Sequence, residues 1–536
     1  MKTIDQKQLD EILPTVSRPG RYLGNEWNVI KKDLGGADVK FALAFPDVYD
    51  VGMSHLGFRI MYGVLNNRKD VACERVFAPW LDFEEKLKAN SIPLFSLESK
   101  IPIKDFDIIG FSLTYELNYT NVLNMLNMAG IPLRSKDREA EFPLIIAGGP
   151  CAFNPYPMSE FIDAFVIGEG EEVILEIIDA YKRVTGNGLR VTGYGVRGTG
   201  YDKNELLKEL SNMEGVYVPA FPKEIKKRIV RDLDKAFYPT RELVPYVQII
   251  HDRITLEIMR GCPFSCKFCQ ATSQYKPVRF RSKKRIMELA GEIYRNTGYE
   301  EISLLSLSSG NYPGIASLVS DLIDEFKELG VGVSLPSLRS EDILQSLPSL
   351  IAKIKKTSLT FAVESGSERL RKYINKDIDV EMVIRACEEA FKAGWRLVKF
   401  YFMIGLPTET EEDLNGIVDF IYRVLKLRND AQISVSISSF VPKTNTVFEN
   451  EKMGDMETLL SKQRFLKGKI RNGRVKVKFH DVRLSFLEWQ FNRRDKRLAE
   501  VVYEAWKKGA KFDAWGEFFN FNLWQDALKQ LDKQTN

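Results

Sequence analysis

The segment "ITLEIMRGCPFSCKFCQ" (254–270) joins a candidate strand to three closely spaced cysteines, Cys262, Cys266 and Cys269. The apolar, partly β-branched start predicts a strand, and the Gly-Cys-Pro that follows predicts where the strand ends. A structural zinc site normally takes four protein ligands, and a disulfide takes two. Three neighbouring thiolates therefore indicate a metal centre that lacks one protein ligand.

The rest of the chain offers few further ligands for such a centre. Only three histidines occur, His55, His251 and His480, and none has the paired spacing of a zinc site. Iron–sulfur clusters are built on cysteine thiolates, and a 4Fe–4S cluster held by three of them leaves one iron free. The sequence favours this cluster over zinc.

A regular series of strands and helices begins with the quoted segment. The six strand candidates are "ITLEIMRGC", "EISLLSLSSG", "VGVSLPSLR", "SLTFAVESG", "RLVKFYFMIGLP" and "AQISVSISSFVP". Helical patterns separate them, at 282–296, 315–329, 341–354, 379–393 and 410–426. Parallel strands that need crossover helices close most economically into a barrel, whose functional groups lie at the carboxyl ends of the strands. We predict a partial (β/α)6 barrel over residues 248–450.

The first 185 residues also alternate strands with helices. The strand candidates include "VKFALAF" (39–45), "FDIIGFSL" (106–113) and "FPLIIAGGP" (142–150). This order predicts a doubly wound, Rossmann-like α/β domain over 1–185. Gly148 and Gly149 follow a strand, where glycine lets the backbone approach a bulky ligand or simply makes a tight turn. Glycine-rich residues 186–247 are predicted to be a linker with a short strand or two.

Composition limits the class of protein. The 536 residues are 44% hydrophobic and 28% charged, with a net charge of +4, which is globular and names no partner. No run approaches 18 apolar residues, and the N-terminus lacks the apolar region of a signal peptide. Cys73, Cys151 and Cys387 lie far apart in the sequence, unlike a secreted disulfide framework. We predict a reduced, cytoplasmic protein without membrane association.

The cysteine loop resembles that of the radical S-adenosylmethionine superfamily. The shared features are Cys-x3-Cys-x2-Cys after the first barrel strand and the aromatic Phe268 before the last cysteine. The resemblance implies that Cys262, Cys266 and Cys269 ligate a 4Fe–4S cluster whose open iron is chelated by S-adenosylmethionine. It also implies an electron donor such as flavodoxin or ferredoxin, and an enzyme that generates a 5′-deoxyadenosyl radical.

The same resemblance implies roles for residues at other strand ends. Backbone near Phe268 would meet the adenine, and Glu364 would hold the ribose or the methionyl end. "LSLSSG" (305–310) stands where the superfamily more often has Gly-Gly-Glu. Glu364 could instead cap a helix, and Gly405 could simply turn the chain. The cosubstrate-binding residues implied in this way are Phe268, Ser308, Ser309, Gly310, Glu364 and Gly405.

The first domain resembles that of the cobalamin-binding subgroup of the superfamily. The resemblance lies in "DIIGFSLTYELNYTNVLNML", "IIAGGP" and "FVIGEGEE", and it implies cobalamin near Gly148 and Gly149 and a methyltransferase activity. "MSHLGFRI", "GVYVPAF" and "SSFVPKTNTVF" resemble more closely a bacterial subfamily of unassigned activity. In genomes that subfamily is often linked to a small partner domain and to ribonuclease and ribosomal-protein genes, so the resemblance implies RNA or a small protein as a partner. His55 lacks the Asp-x-His-x-x-Gly spacing, so we predict that any bound cobalamin has no such histidine ligand.

Two other functions stay open at this stage. A methylthiotransferase that modifies RNA or protein needs a second cluster, usually on three N-terminal cysteines, and only Cys73 and Cys151 precede residue 250. An RNA- or ribosome-associated module would use the cluster structurally. The tail, 451–536, contains a basic run (461–480) that is either a polyanion site or a solvated helix face or edge strand. Its aromatic helices are predicted to cap the barrel or to close over a substrate.

Overall fold

The computed structural model describes residues 3–186, 202–334 and 359–533, and for 532 and 533 the backbone only. The predicted helix 341–354 and most of the glycine-rich part of the predicted linker (187–201) lie outside these residues. The remaining predicted elements can be compared directly with the structure.

The first domain is built on a six-stranded sheet with the order β2-β1-β3-β4-β5-β6. β1 to β5 are parallel and β6 is antiparallel to β5. The strands are β1 Val39–Phe45, β2 Val71–Phe77, β3 Ile108–Ser112, β4 Leu144–Gly148, β5 Ala164–Val166 and β6 Val216–Tyr217. The helices are α1 Gln6–Ile12, α2 Tyr49–Met53, α3 Leu56–Asn67, α4 Leu81–Ala89, α5 Tyr119–Met128, α6 Gly170–Thr185 and α7 Lys203–Ser211. The doubly wound α/β fold is confirmed, and β6 joins part of the predicted linker to this sheet.

β1 shows why the sheet is covered on both faces. All seven of its residues are buried, as expected for a parallel strand between two helical layers. Phe41 and Leu43 belong to an apolar core that continues into the barrel. Ala42 and Ala44 point to the opposite face, in a core that continues into the C-terminal helices. The first domain therefore packs between the two other parts of the molecule.

The second unit contains the six predicted barrel strands and a seventh strand from the tail. They form two parallel sheets in the described residues, β11-β10-β7 and β12-β13-β14-β15, and a short hairpin of β8 and β9 carries the cysteine loop. The strands are β7 Ile254–Glu257, β8 Met259–Arg260, β9 Arg279–Phe280, β10 Glu301–Leu305, β11 Gly332–Ser334, β12 Leu359–Glu364, β13 Leu397–Ile404, β14 Gln432–Ser439 and β15 Val475–Phe479. The helices are α8 Ala271–Gln274, α9 Lys283–Thr297, α10 Ile315–Phe326, α11 Glu368–Tyr373, α12 Val380–Lys392 and α13 Glu411–Leu425.

The barrel sheet extends beyond the predicted boundary at residue 450. β15 comes from the basic run of the tail and pairs in parallel with β14. In this strand Lys476 and Lys478 are exposed, while the three apolar residues that alternate with them are half-buried. Of the two structural interpretations of the run, the edge strand holds for 475–479 and a helix precedes it.

The C-terminal helices pack on the first domain as well as on the barrel, whereas the sequence predicted a cap on the barrel alone. The helices are α14 Met456–Lys469, α15 Val482–Phe491, α16 Leu498–Lys507 and α17 Phe521–Lys533. α14 packs on the barrel helix α13, and α16 packs on α5 of the first domain. Trp80 of the first domain lies 5.1 Å from the Trp515 ring and 5.2 Å from Phe512. The amphipathic, aromatic sequence of these helices predicts that each has a buried face. It does not predict which surface of the protein covers that face.

Candidate cluster and cosubstrate site

The cysteine loop is held in place by hydrogen bonds to the two residues that follow α11. It leaves the sheet after β8, and Cys266 is buried while Cys262 and Cys269 are partly exposed. The Lys267 amide donates to the Ile374 carbonyl at 3.0 Å. The Asn375 side chain donates to the Ser265 carbonyl at 2.8 Å. The loop that presents the thiols is thus fixed to the end of α11.

The three thiols interact with one another. Burial raises the pKa of Cys266 and Cys269, and the neighbouring Cys262 adds to this, while Lys376 opposes it. Within the described residues no three His, Cys, Asp or Glu side chains converge as ligands of a single metal ion. Thiols that resist ionisation in the apoprotein become ligands when a cation compensates their charge. The donor set suits a cluster, which binds each thiolate at a different iron.

Glu364 ends β12 in a strained conformation beside this loop. Its φ of 68° lies in the left-handed region, where non-glycine residues are uncommon, and the pairing of β12 with β13 is irregular at this point. Its carboxylate lies 3.5 Å from the Lys376 ammonium. Burial raises the pKa of Glu364, and Lys376 offsets this only in part. Lys376 was not predicted, because an isolated lysine in a loop gives no signal in the sequence.

Two buried hydroxyls next to these strand ends have no hydrogen-bond partner among the described residues. Ser365 follows Glu364, and Ser439 is the last residue of β14. Buried polar groups are normally satisfied, so each of these hydroxyls is open to a hydrogen bond with a ligand or an ordered water. Neither serine was predicted from the sequence.

The serine-rich segment after β10 satisfies its own hydrogen bonds. The Ser306 and Ser309 hydroxyls lie 2.8 Å apart, and Ser308 donates to the Asn311 side chain at 2.7 Å. Ser309 and Gly310 belong to a short 3-10 turn. The structure places the three predicted residues at the carboxyl end of β10, and their contact with a cosubstrate stays a prediction.

Phe268 contacts a small apolar cluster, and Gly405 directly precedes Leu406, a member of that cluster. Phe268 packs against a core of Leu370, Ile374, Leu406, Phe440 and Phe448. Gly405 has a φ of 79°, and a Cβ there would lie 2.6 Å from Leu459 of α14. Its amide donates to Glu409 at 2.9 Å. The close packing therefore gives a structural explanation for glycine at this position.

Gly148 and Gly149 lie at the carboxyl end of β4, as predicted. Gly149 has a φ of 104°, and a Cβ there would lie 2.6 Å from the Leu113 carbonyl of the adjacent loop. Gly148 makes only ordinary contacts, with Val166. At Gly149 two loops of the protein approach each other closely. Contact of either glycine with a ligand stays a prediction.

His55 is the N-cap of α3. Its Nδ1 accepts from the Phe58 amide at 3.3 Å. Burial lowers its pKa to about 4, and Arg59 contributes to this. The neutral ring is therefore occupied in capping α3.

A cavity of about 220 Å³ lies between the first domain, the cysteine loop and the C-terminal helices. Gln270, which directly follows Cys269, contributes to its wall. Lys443, from the loop after β14, lies 2.9 Å from Glu116 of the first domain and 3.4 Å from Glu488 of α15. Sequence reasoning missed this group, because its members are far apart and each resembles a surface charge. The lining residues are Thr114, Tyr115, Glu116, Tyr119, Pro150, Cys151, Asn154, Gln270, Lys443, Phe491 and Asn492.

Comparison with protein families finds a match for two segments of the chain. Residues 57–219 match the family model described as radical SAM proteins, N-terminal, and residues 256–421 match that of the radical SAM superfamily. The chain belongs to the radical SAM superfamily. It is therefore a radical SAM enzyme, a class that uses a 4Fe–4S cluster, S-adenosylmethionine and a reductant, in agreement with the predictions.

Relatives of this radical SAM enzyme include proteins of several descriptions. It is 28% identical to the uncharacterized protein MJ0966 of Methanocaldococcus jannaschii, over 91% of this chain and 98% of the relative. It is 26% identical to the uncharacterized methyltransferase PH0819 of Pyrococcus horikoshii, over 52% and 57%. It is 22% identical to the ribosomal protein uS12 methylthiotransferase RimO of Pelotomaculum thermopropionicum, over 56% and 68%.

Two solved structures share the fold. The methyltransferase TsrM from Kitasatospora setae, with cobalamin and a 4Fe–4S cluster bound, superimposes with a TM-score of 0.52 at 10% identity, over 75% of this chain and 72% of TsrM. The cobalamin-dependent enzyme OxsB, with aqua-cobalamin bound, gives 0.50 at 15% identity, over 87% and 68%. Among the described residues of this radical SAM enzyme, no helix is both long and apolar enough to cross a bilayer.

Proposed function

We propose that Cys262, Cys266 and Cys269 bind one 4Fe–4S cluster, and that the carboxyl ends of the barrel strands bind S-adenosylmethionine at its open iron. When bound, the cluster supplies the electron that cleaves this cosubstrate to methionine and a 5′-deoxyadenosyl radical. The observation that supports this most is the position of the cysteine loop beside Glu364, whose strained backbone and buried carboxylate have no evident structural purpose.

The residues around the loop have distinct tasks in this proposal. Glu364 accepts hydrogen bonds from the cosubstrate, with its charge balanced by Lys376 at 3.5 Å. The unpaired hydroxyls of Ser365 and Ser439 gain partners from the bound molecule. Phe268 and its apolar neighbours exclude water from the adenine side. The wall of the cosubstrate site is completed by the backbone at Ser308, Ser309, Gly310 and Gly405.

The test is single-turnover chemistry under anaerobic conditions. The reconstituted, reduced enzyme is mixed with S-adenosylmethionine, and 5′-deoxyadenosine is measured by chromatography. We expect slow formation without substrate, and none when the three cysteines are replaced by alanine. Cluster-replete enzyme that neither binds nor cleaves S-adenosylmethionine would contradict the proposal.

Cobalamin-dependent methyl transfer is a second candidate, supported by the likeness to TsrM and OxsB. The carboxyl ends of β1 and β3 are, however, covered: Trp515 donates to Asp47 at 3.0 Å, and Phe491 packs on Tyr119. The adjacent cavity measures about 220 Å³, whereas pockets for drug-sized ligands span roughly 300–1,000 Å³ and a corrin is larger. The residues around this cavity do not hold a corrin as placed, so cobalamin at this point requires the C-terminal helices to move.

Reconstitution with hydroxocobalamin tests the second candidate. Retention of the corrin with faster proteolysis of the C-terminal helices would support it, and failure to retain any corrin would exclude it. The absorption and resonance spectra of a retained corrin should be the same in His55→Ala, because His55 caps α3. A nitrogen-coordinated spectrum that is lost in His55→Ala would refute the predicted absence of a histidine ligand.

Methylthiotransfer and a structural role in RNA binding are less well supported. Cys73 lies buried within β2 and Cys151 lies beyond β4, and these two thiols are one short of the usual set for a second cluster. Lys476 and Lys478 form an exposed basic edge on β15, so RNA and a small partner protein stay proposals. We also propose flavodoxin or ferredoxin as the reductant and the cytoplasm as the location.

A further inference from the structure

Alternate residues of β13 face the two sides of the barrel sheet. Every second residue of this strand is buried, and Phe400 packs edge to face on Phe420 of α13, with 4.9 Å between the ring centroids. Successive side chains of a strand point to opposite faces of the sheet. Lys399 and Tyr401 therefore lie on the face turned away from the helices, which we call the inner face.

The parallel register carries the inner face from β13 to the edge strand β15. Lys399 pairs with Ser434 of β14, and Ser434 pairs with Lys476 of β15. Paired residues point to the same face, so Lys476 lies on the inner face, and so does Lys478 two residues later. Val477, between the two lysines, packs against the core on the helical side. The two rows across the sheet are Lys399–Ser434–Lys476 and Tyr401–Ser436–Lys478.

The inner face carries a surplus of positive charge. β12 to β15 contain three lysines, Lys399, Lys476 and Lys478, and one acid, Glu364. The acid already lies 3.5 Å from Lys376. Within the described part of the chain, no carboxylate lies at ion-pair distance from the ammonium groups of the three lysines.

Protection of the sheet edge does not account for this charge. Exposed lysines commonly prevent an edge strand such as β15 from pairing with another chain. Lys399, however, lies on β13, which has a neighbouring strand on both sides, and it is half-buried. Surfaces lined by one sign of charge attract ligands of the opposite sign. The surplus therefore indicates a bound anion.

The other features of the inner face suit a phosphate next to a planar ring. A phosphate monoester carries a charge of about −1.5 to −2 at pH 7 and offers three acceptor oxygens, so it matches several ammonium groups. Tyr401 is 45% exposed although it lies on a central strand, between Ala362 of β12 and Ser436 of β14. These small neighbours leave its ring accessible for stacking.

The inner face continues to the proposed cosubstrate site. Glu364, the last residue of β12, pairs with Phe402, which directly follows Tyr401. A ring bound at Tyr401 therefore lies beside the residue to which we assign the cosubstrate.

We propose that the inner face of β13 to β15 binds a phosphorylated substrate that contains a planar ring. Lys399, Lys476 and Lys478 hold the phosphate, and Tyr401 stacks on the ring. This inference rests on the proposed function, since it places the ring next to the site at which the radical forms. A free nucleotide and a polynucleotide share this chemistry.

The test compares uridine 5′-monophosphate with uridine by titration calorimetry on the anaerobic holoenzyme with S-adenosylmethionine present. The two probes share the ring and the sugar, but only the first carries a phosphate. We expect the monophosphate to bind at least tenfold more tightly. Single-stranded hexauridylate is titrated in parallel. Tighter binding than that of the monophosphate identifies a polynucleotide as the source of the phosphate, and equal or weaker binding identifies a free nucleotide.

Matched variants locate the binding. Lys399→Gln and Lys478→Gln should each weaken binding of uridine 5′-monophosphate at least tenfold. Lys284→Gln, at an exposed position on the outer helix α9, should leave it unchanged. Tyr401→Ala should weaken binding of uridine 5′-monophosphate but not that of inorganic phosphate, because only the former has a ring to stack.

Equal affinity for the two probes in the unmodified enzyme would overturn the inference. A loss of binding in Lys478→Gln that neither Lys399→Gln nor Tyr401→Ala reproduces would also overturn it, because the phosphate would then lie at the sheet edge alone. Cleavage of S-adenosylmethionine is measured on the same samples. Enzyme that cleaves it but does not distinguish the probes refutes only this inference, and enzyme that distinguishes the probes without cleavage refutes only the proposed function.

Discussion

Single residues in strained conformations mark the carboxyl ends of three barrel strands. Glu364, Thr408 and Asn445 have φ values of 68°, 66° and 61°. Glu364 is the last residue of β12, and the other two lie in the loops after β13 and β14. Such conformations cost about 1–3 kcal/mol each and persist where the surrounding structure over-determines them, most often at ligand sites. Glu364 adds a buried carboxylate to this strain, so its position is better explained by binding than by folding.

Glu364→Gly should separate binding from stability. Glycine adopts this φ without strain but adds freedom to the unfolded chain, so the free energy of unfolding should stay within about 1 kcal/mol or rise. The affinity for S-adenosylmethionine should fall at least tenfold, with unchanged iron content. Calorimetry and denaturant unfolding measure the two quantities. Unchanged affinity would remove the binding role of Glu364.

Lys376→Gln tests the electrostatic role of the lysine. The ammonium stabilises negative charge on the nearby thiolates, so its removal should lower the reduction potential of the cluster by tens of millivolts, about 1 kcal/mol. Iron content should not change, because Lys376 is not a ligand. A redox titration followed by resonance spectroscopy measures the potential, with Lys372→Gln on the exposed side of α11 as the control. An unchanged or higher potential would contradict this role.

At the scale of elements, the docking of the C-terminal helices depends on buried polar contacts as well as aromatic ones. Asp513 is fully buried between α5 and α17, where it accepts from Thr120 at 2.8 Å and from Trp524 at 2.9 Å. Burial raises the pKa of Asp513 to about 6, and the two hydrogen bonds only partly oppose this. The ionised carboxylate is therefore less stable in the folded protein than in the unfolded chain.

Asp513→Asn should stabilise the protein in a pH-dependent way. A folded-state pKa above the unfolded value contributes stability that is present below about pH 4 and lost as the pH rises through 6. The neutral amide avoids this loss, so the variant should gain about 1–3 kcal/mol at pH 8 and much less at about pH 4. Denaturant unfolding at the two pH values measures the difference. A gain that is equal at both would contradict the assignment.

The sequence predicted most helices and strands, but not the surfaces on which they pack. The barrel strands were recognisable because their apolar residues recur at every second position, and the buried positions of β12 to β14 alternate in the same way. The lysines of β15 left a polyanion site, a helix face and an edge strand open, and the position of the C-terminal helices depends on contacts with residues hundreds of positions away. Lys376, Asn154 and the Glu116–Lys443–Glu488 group could not be found in this way, because only the fold brings them together.

At the scale of the whole molecule, the three parts share their cores. One core runs from the first sheet into the barrel, and the other from the same sheet into the C-terminal helices. Large apolar surfaces are therefore buried between parts that the sequence presents as separate domains. Such parts do not behave as independent units.

Removing residues 481–536 should consequently unfold or aggregate the protein. The deletion exposes the apolar faces of α5 and of the sheet, including Phe111 and Leu123, which are buried in the intact chain. The matched control is the triple cysteine-to-alanine protein, which should keep its first domain folded. Gel filtration and circular dichroism compare the two. A monomeric, cooperatively unfolding truncated protein would contradict the shared core.

The central claim is that one cluster on Cys262, Cys266 and Cys269 binds S-adenosylmethionine at an open iron. The most direct measurement is the electron paramagnetic resonance spectrum of the reduced, anaerobically reconstituted enzyme with and without S-adenosylmethionine, together with iron and sulfide analysis. The account predicts about four irons and four sulfides per chain, and a spectrum that changes when the cosubstrate is added. Roughly eight irons, stoichiometric zinc, or a spectrum that S-adenosylmethionine leaves unchanged would contradict it.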